Sequence, residues 1–154
     1  MEIKKCVKES FSVVGKEGST NDGEGFINKL WIDANSHFGE VASLAKTDEN
    51  GNLLGIWGAM SDFSHSFKPW GDNYSKGLYL AGIEVKDDAQ APQGWAKWIV
   101  PSYEYIYAKR EDQNTFTEII GYLKENNMTL VGAVNDYHCP EDGQDYMFFP
   151  VLIL

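Results

Sequence analysis

Trp98-Ile-Val-Pro-Ser-Tyr-Glu-Tyr-Ile-Tyr-Ala-Lys-Arg110 is the stretch on which the rest of the chain is organised. Pro101 has no amide proton to give a central ladder, so its position predicts a strand beginning just after it. Beyond it Tyr103, Tyr105 and Tyr107 alternate with Glu104, Ile106 and Ala108. Successive strand side chains face opposite ways, so one face carries three phenols.

Downstream, Thr115 and Glu118 have the spacing of a capping box. The helix they open carries Phe116, Ile119, Ile120 and Leu123 on one stripe and ends at Asn126-Asn127. Thr129 to His138 reads as a strand, Pro140 to Gln144 as a turn, and Tyr146 to Ile153 as the last strand. Pro150 assigns that strand an edge or bulged position.

Upstream, Lys86 to Gly94 is linker-like. Gly77 to Val85 reads as a strand, and so does Leu53 to Met60, after the Asn-Gly turn at 48–52. Phe26, Ile27, Leu30, Trp31 and Ala34 mark a first helix, with Asn21 or Asp22 able to cap it. Residues 2–14 read as one strand with an irregular middle, and 15–25 as a loop. The predicted order is strand-helix-strand-strand, linker, strand-helix-strand-strand. This implies an α+β fold, a tandem pseudo-dimer with antiparallel sheet and a ligand cleft between the halves. The 154 residues form one domain, with pseudo-repeats at about 1–86 and 95–154.

Composition bounds the function. The formal charge is −10 and aromatics reach 14%. An acidic chain lacks the basic footprint of a direct nucleic-acid binder, and the charge favours cationic ligands or basic partner proteins. The longest apolar run, Met147 to Leu154, is too short to span a bilayer. Cys6 and Cys139 make no disulfide framework, and no long apolar stretch marks a signal peptide, so the chain reads as cytoplasmic.

Several pieces together carry a resemblance: Ile27-x-x-Leu30-Trp31, Trp57-Gly58, Tyr79-Leu-Ala-Gly-Ile-Glu84-Val85, Val100-Pro101-x-x-x-Tyr105, Asp136-Tyr137-His138 and Phe149-Pro150-Val151. In this order they resemble the GyrI-like small-molecule-binding family, the effector-binding domain of AraC- and MerR-type bacterial regulators. The resemblance implies a cleft lined by aromatics, often with a buried glutamate that pairs with lipophilic cations. Carried over position by position, Trp31, Trp57, Tyr79 and Tyr105 match its aromatic places. Its acidic place, two residues before Tyr137, is Asn135 here. Asp136 is adjacent but points to the opposite face unless a bulge turns it inward.

No P-loop, Gly-x-Ser-x-Gly or Gly-x-Gly-x-x-Gly motif is present. His37, His65 and His138 are scattered, and His138-Cys139 does not supply the four ligands of a closed zinc site. The expectations are therefore no metal, no cofactor and no catalytic residue. Trp31, Trp57, Tyr79, Trp98, Tyr105, Tyr107, Asn135, Asp136 and Tyr137 are the candidate ligand-binding residues, with Tyr105 favoured first. The partner is a small molecule, aromatic or cationic, and regulation would pass through a second protein. A hydrolase using Asp136 or Glu104 with tyrosines is the second reading. An acidic inhibitor of a DNA-acting enzyme such as gyrase is the third.

Overall fold

The computed structural model describes residues 1–154. Its strands are β1 (Ile3–Lys8), β2 (Phe11–Ser19), β3 (Ile56–Ser61), β4 (Leu78–Val85), β5 (Ala96–Val100), β6 (Tyr103–Lys109), β7 (Asn135–His138) and β8 (Asp145–Ile153). The helices are α1 (Phe26–Ser36), the single turn α2 (Gly71–Tyr74) and α3 (Thr115–Glu125). All strands join one sheet in the order β1-β6-β8-β7-β3-β4-β2-β5, and every pair is antiparallel. This is the α+β architecture the patterning implies.

Pro101 precedes a strand, as its position predicts, and it also divides that strand from another. β5 ends at Val100 and pairs with β2, whereas β6 starts at Tyr103 and pairs with β1 and β8. The N-terminal stretch likewise splits, β1 pairing with β6 and β2 with β4 and β5. Each unit is therefore strand-strand-helix-strand-strand, and its first strand closes the outer edge of the other unit. The two units meet where β3 pairs with β7, through Ile56–His138, Trp57–Tyr137 and Gly58–Asp136.

Local signals misplace several boundaries. Residues 15–19 continue β2, because Gly15 packs directly against the backbone of Ala81 and Gly82 on β4, where a side chain would clash. Asn21 and Asp22 form a separate 3-10 turn capped by Ser19, and α1 starts from Gly25. Thr115 is the first residue inside α3. Its hydroxyl accepts from the amides of Glu111 and Asp112, so the expected capping box is absent. Residues 129–134 run irregularly into a short β7. Pro150 lies beside the register shift between Glu104 and Tyr105, in a strand flanked by β6 and β7, so it marks a bulge and not an edge.

Two faces of the sheet bury different sets. On one, Ile106, Ala108, Met147 and Phe149 pack under Ile119 and Leu123 of α3. Val14, Ile83 and Val85 lie on the same side, under Phe38, Val41 and Ala45 after α1. On the other face Phe11, Val13, Trp57, Leu80, Trp98, Tyr103, Tyr105 and Phe148 form a core drawn from both units with no helix over it. The sheet must curl so that this face closes on itself. No helix is long and apolar enough to cross a membrane.

Candidate functional site

Sheet parity decides which candidates can meet. On β4, Leu78 and Leu80 face the closed core, so Tyr79 faces the helices. On β7, Asn135 and Tyr137 lie toward that core, which leaves Asp136 on the helix side. Gly58 sits between them on β3, paired with Ala81 and Asp136. The Tyr79 phenol occupies the space a side chain at position 58 would fill.

The result is a chain of contacts over the junction of the two units. The Trp31 Nε1 from α1 donates to the Tyr79 hydroxyl at 3.2 Å, and that hydroxyl donates to Asp136 Oδ2 at 3.1 Å. Asp136 Oδ1 is buried and accepts no hydrogen bond, although Arg110 Nη2 stands 3.7 Å away. That distance is too long for a charge-assisted hydrogen bond. Burial raises the Asp136 carboxyl above its ordinary range, against the opposing pull of Arg110 and the Tyr79 hydrogen bond. Tyr79 is held protonated, first by burial and then by the Asp136 charge.

These residues line a cleft of about 520 Å³ against α1, with Asn28 and Asn35 on the opposite wall. His138 and Asp145 close one end as a pair at 2.7 Å. Behind Trp31 a smaller apolar cavity of about 180 Å³ continues under α1, between Phe38, Val41 and Trp95. Beyond Arg110 a third, of similar size, lies between Trp70, Tyr74 and Phe116.

Of the sequence candidates, Trp31, Tyr79 and Asp136 come together here. Tyr137 only borders the cleft: its ring packs on Trp57 at 4.5 Å and its hydroxyl donates to the Leu54 carbonyl at 3.0 Å. The others face the closed core and do not line the cleft. Trp57 is buried with its Nε1 3.3 Å from Glu84 Oε1, and Trp98 donates to Glu17 at 2.6 Å. Tyr107 stacks on Phe148 with centroids 4.7 Å apart. Tyr105, the favoured residue, is fully buried against Tyr103 and Phe148 and its hydroxyl has no partner. The phenol row sits on the face that the sheet's own curl seals.

Asn135 lies on the core side of β7. Its Oδ1 accepts from the Met60 amide at 3.2 Å, tying β7 to β3 inside the core. Asp136 is the acid at the junction end of the cleft, where Tyr79 meets it, and ordinary alternation aims it there without a bulge. Glu104 shares the Ile106 face near the start of β6 but is not a cleft residue. Arg110, Asn28 and Asn35 were missed. Arg110 follows Ile106 and Ala108 at period two, a signal that places it on the non-phenol face.

No family model matches the sequence, and no curated protein matches it. Solved structures do. The structure of SAV2435 bound to tetraphenylphosphonium is similar over 98% of this chain and 94% of its own, with TM-score 0.66 and 18% identity. A putative bacterial transcription regulation protein from Staphylococcus aureus MU50 is similar over 99% of both chains, with TM-score 0.63 and 17% identity. The C-terminal domain of EcmrR is similar over 99% and 98%, with TM-score 0.66 and 11% identity. These likenesses define the fold class: the chain has the α+β fold that these proteins share, the GyrI-like fold.

Proposed function

We propose that the protein binds a small lipophilic molecule, aromatic or cationic, in the cleft between α1 and the β3–β7 junction. The observation that carries this reading is Asp136. Its Oδ1 is buried, faces the cleft and accepts no hydrogen bond. Leaving a buried acceptor unmade costs about 1–3 kcal/mol, so a cation or donor placed there gains what the empty cleft lacks. Trp31 and Tyr79 add aromatic surface, and each face presented to a cation contributes about 0.5–2 kcal/mol. Tetraphenylphosphonium on a protein of the same fold supports this choice of ligand class.

The role this reading gives the module is to sequester the ligand or to report it to a protein partner. Titration with tetraphenylphosphonium and a panel of cationic dyes, followed by Trp fluorescence, tests the reading. Saturable quenching that disappears in Asp136→Asn supports it, and no quenching across the panel overturns it.

Hydrolysis is the second reading. A carboxyl with a raised pKa, hydrogen-bonded to a tyrosine in a cleft, is the arrangement expected of a general acid–base pair. Release of product from a panel of esters and amides, lost in Asp136→Asn, would establish it.

A further inference from the structure

Arg110 belongs to two cavities at once. It lines the main cleft beside Asp136, and it lines the apolar chamber formed by Trp70, Tyr74 and Phe116. Its backbone is fixed, the amide donating to the Asp145 carbonyl at 2.8 Å. Its guanidinium is half-exposed and makes no close hydrogen bond. A fixed stem with a loosely held head is a side chain free to exchange positions.

We infer that Arg110 is a gate: it guards Asp136 while the cleft is empty and swings into the Trp70–Tyr74–Phe116 chamber when a cationic ligand takes its place. The inference rests on the cation-binding reading above. Two cations cannot share one carboxylate oxygen in a partly dry cleft without strong repulsion. A ligand cation must therefore displace the guanidinium, and the neighbouring chamber supplies a place for it. Tyr74 and Phe116 stand edge to face there with centroids 5.3 Å apart, and aromatic faces hold a guanidinium well. The other charges near Asp136 are already engaged, since Asp145 pairs with His138. Arg110 is thus the one movable cation in the cleft, and it sets a threshold that a cationic ligand must cross and a neutral one need not.

The wall of that chamber is itself unusual. Five of the six non-glycine residues with positive φ are His65, Phe67, Asp72, Asn73 and Tyr74, all in the strap from β3 to β4. Left-handed backbone is unfavourable for residues with bulky side chains such as Phe67 and Tyr74, and it persists only where surrounding contacts impose it. The strap carries Trp70 and Tyr74 to the chamber beside Arg110.

The test compares tetraphenylphosphonium binding to wild type, Arg110→Met and Arg110→Lys by calorimetry, with triphenylphosphine oxide as the neutral probe. Removing the competing charge should tighten tetraphenylphosphonium about tenfold in Arg110→Met, leave Arg110→Lys within about threefold, and leave the neutral probe unchanged. In the ligand-free protein, the Asp136 carboxyl resonance should titrate at higher pH in Arg110→Met. Cation binding by wild type with no tightening in Arg110→Met, or an unmoved Asp136 titration, overturns the gate and leaves the cleft reading standing. If neither protein binds any cation, the cleft reading fails and the gate fails with it.

Discussion

Tyr79 on β4 reaches Asp136 on β7 across the bare backbone of Gly58, its hydroxyl donating to Asp136 Oδ2 at 3.1 Å. The strand between them contributes no side chain at that point, and this is what lets two residues from different units act as one polar group.

Gly58→Ala should break that relationship. The new methyl must push the Tyr79 ring, which is buried and has no free direction to move. Overpacking of this kind costs about 1–3 kcal/mol. Urea unfolding should show the loss, and tetraphenylphosphonium affinity should fall with it. An unchanged midpoint and affinity would show that the phenol has room elsewhere.

Tyr79→Phe should leave both Asp136 Oδ2 and the Trp31 indole nitrogen without their partner. Stability should drop by about 1–2 kcal/mol, since one partner is removed and the other groups stay. The Asp136 carboxyl should rise further, because the hydrogen bond that favours its charged form is gone. Carboxyl NMR titration reads this directly.

Asp136 makes stability fall as pH rises. Its folded-state pKa lies above the unfolded value of 3.8, so between the two the folded chain binds more protons than the unfolded one. Stability from this group is present below pH 3.8 and is lost as pH climbs through the raised folded value. Asp136→Asn should remove that slope and stabilise the protein at neutral pH by about 1 kcal/mol while abolishing cation binding. Thermal unfolding of both proteins from pH 3 to pH 8 checks the sign.

Asp62 works in the opposite direction. Burial raises its pKa, but hydrogen bonds from the Ser64 hydroxyl, the Ser66 and Lys68 amides and the Ser61 hydroxyl outweigh that and hold it at about 2. Its contribution is present above pH 3.8 and lost as pH falls toward 2. Asp62→Ala should loosen the strap at neutral pH, seen as faster amide exchange at Ser66 and Lys68 with the β4 amides unchanged.

Tyr105→Phe should be nearly silent. The hydroxyl it removes is buried and unpartnered, and deleting such a group is neutral or stabilising, within about 0.5 kcal/mol. Ligand affinity should not move. Tyr105→Ala should cost about 3–5 kcal/mol, the price of a cavity in a sealed core.

The sequence by itself determined the elements and much of the face assignment. Period-two alternation puts Tyr103, Tyr105 and Tyr107 on one side and Ile106, Ala108 and Arg110 on the other, and it sets Asn135 against Asp136. Helical spacing likewise aligns Trp31 with its stripe. These are local consequences of backbone geometry, so a linear reading reaches them. It could not say which face opens to solvent and which is sealed. That depends on β1 crossing to β6, β5 crossing to β2, and the sheet curling until Phe11, Trp57 and Tyr105 share one core. The phenol row became core and Asp136 became the acid of the cleft through those long-range pairings. No residue's neighbours in sequence carry that information, because strand partners as distant as Cys6 and Tyr105 are chosen only when the whole sheet closes.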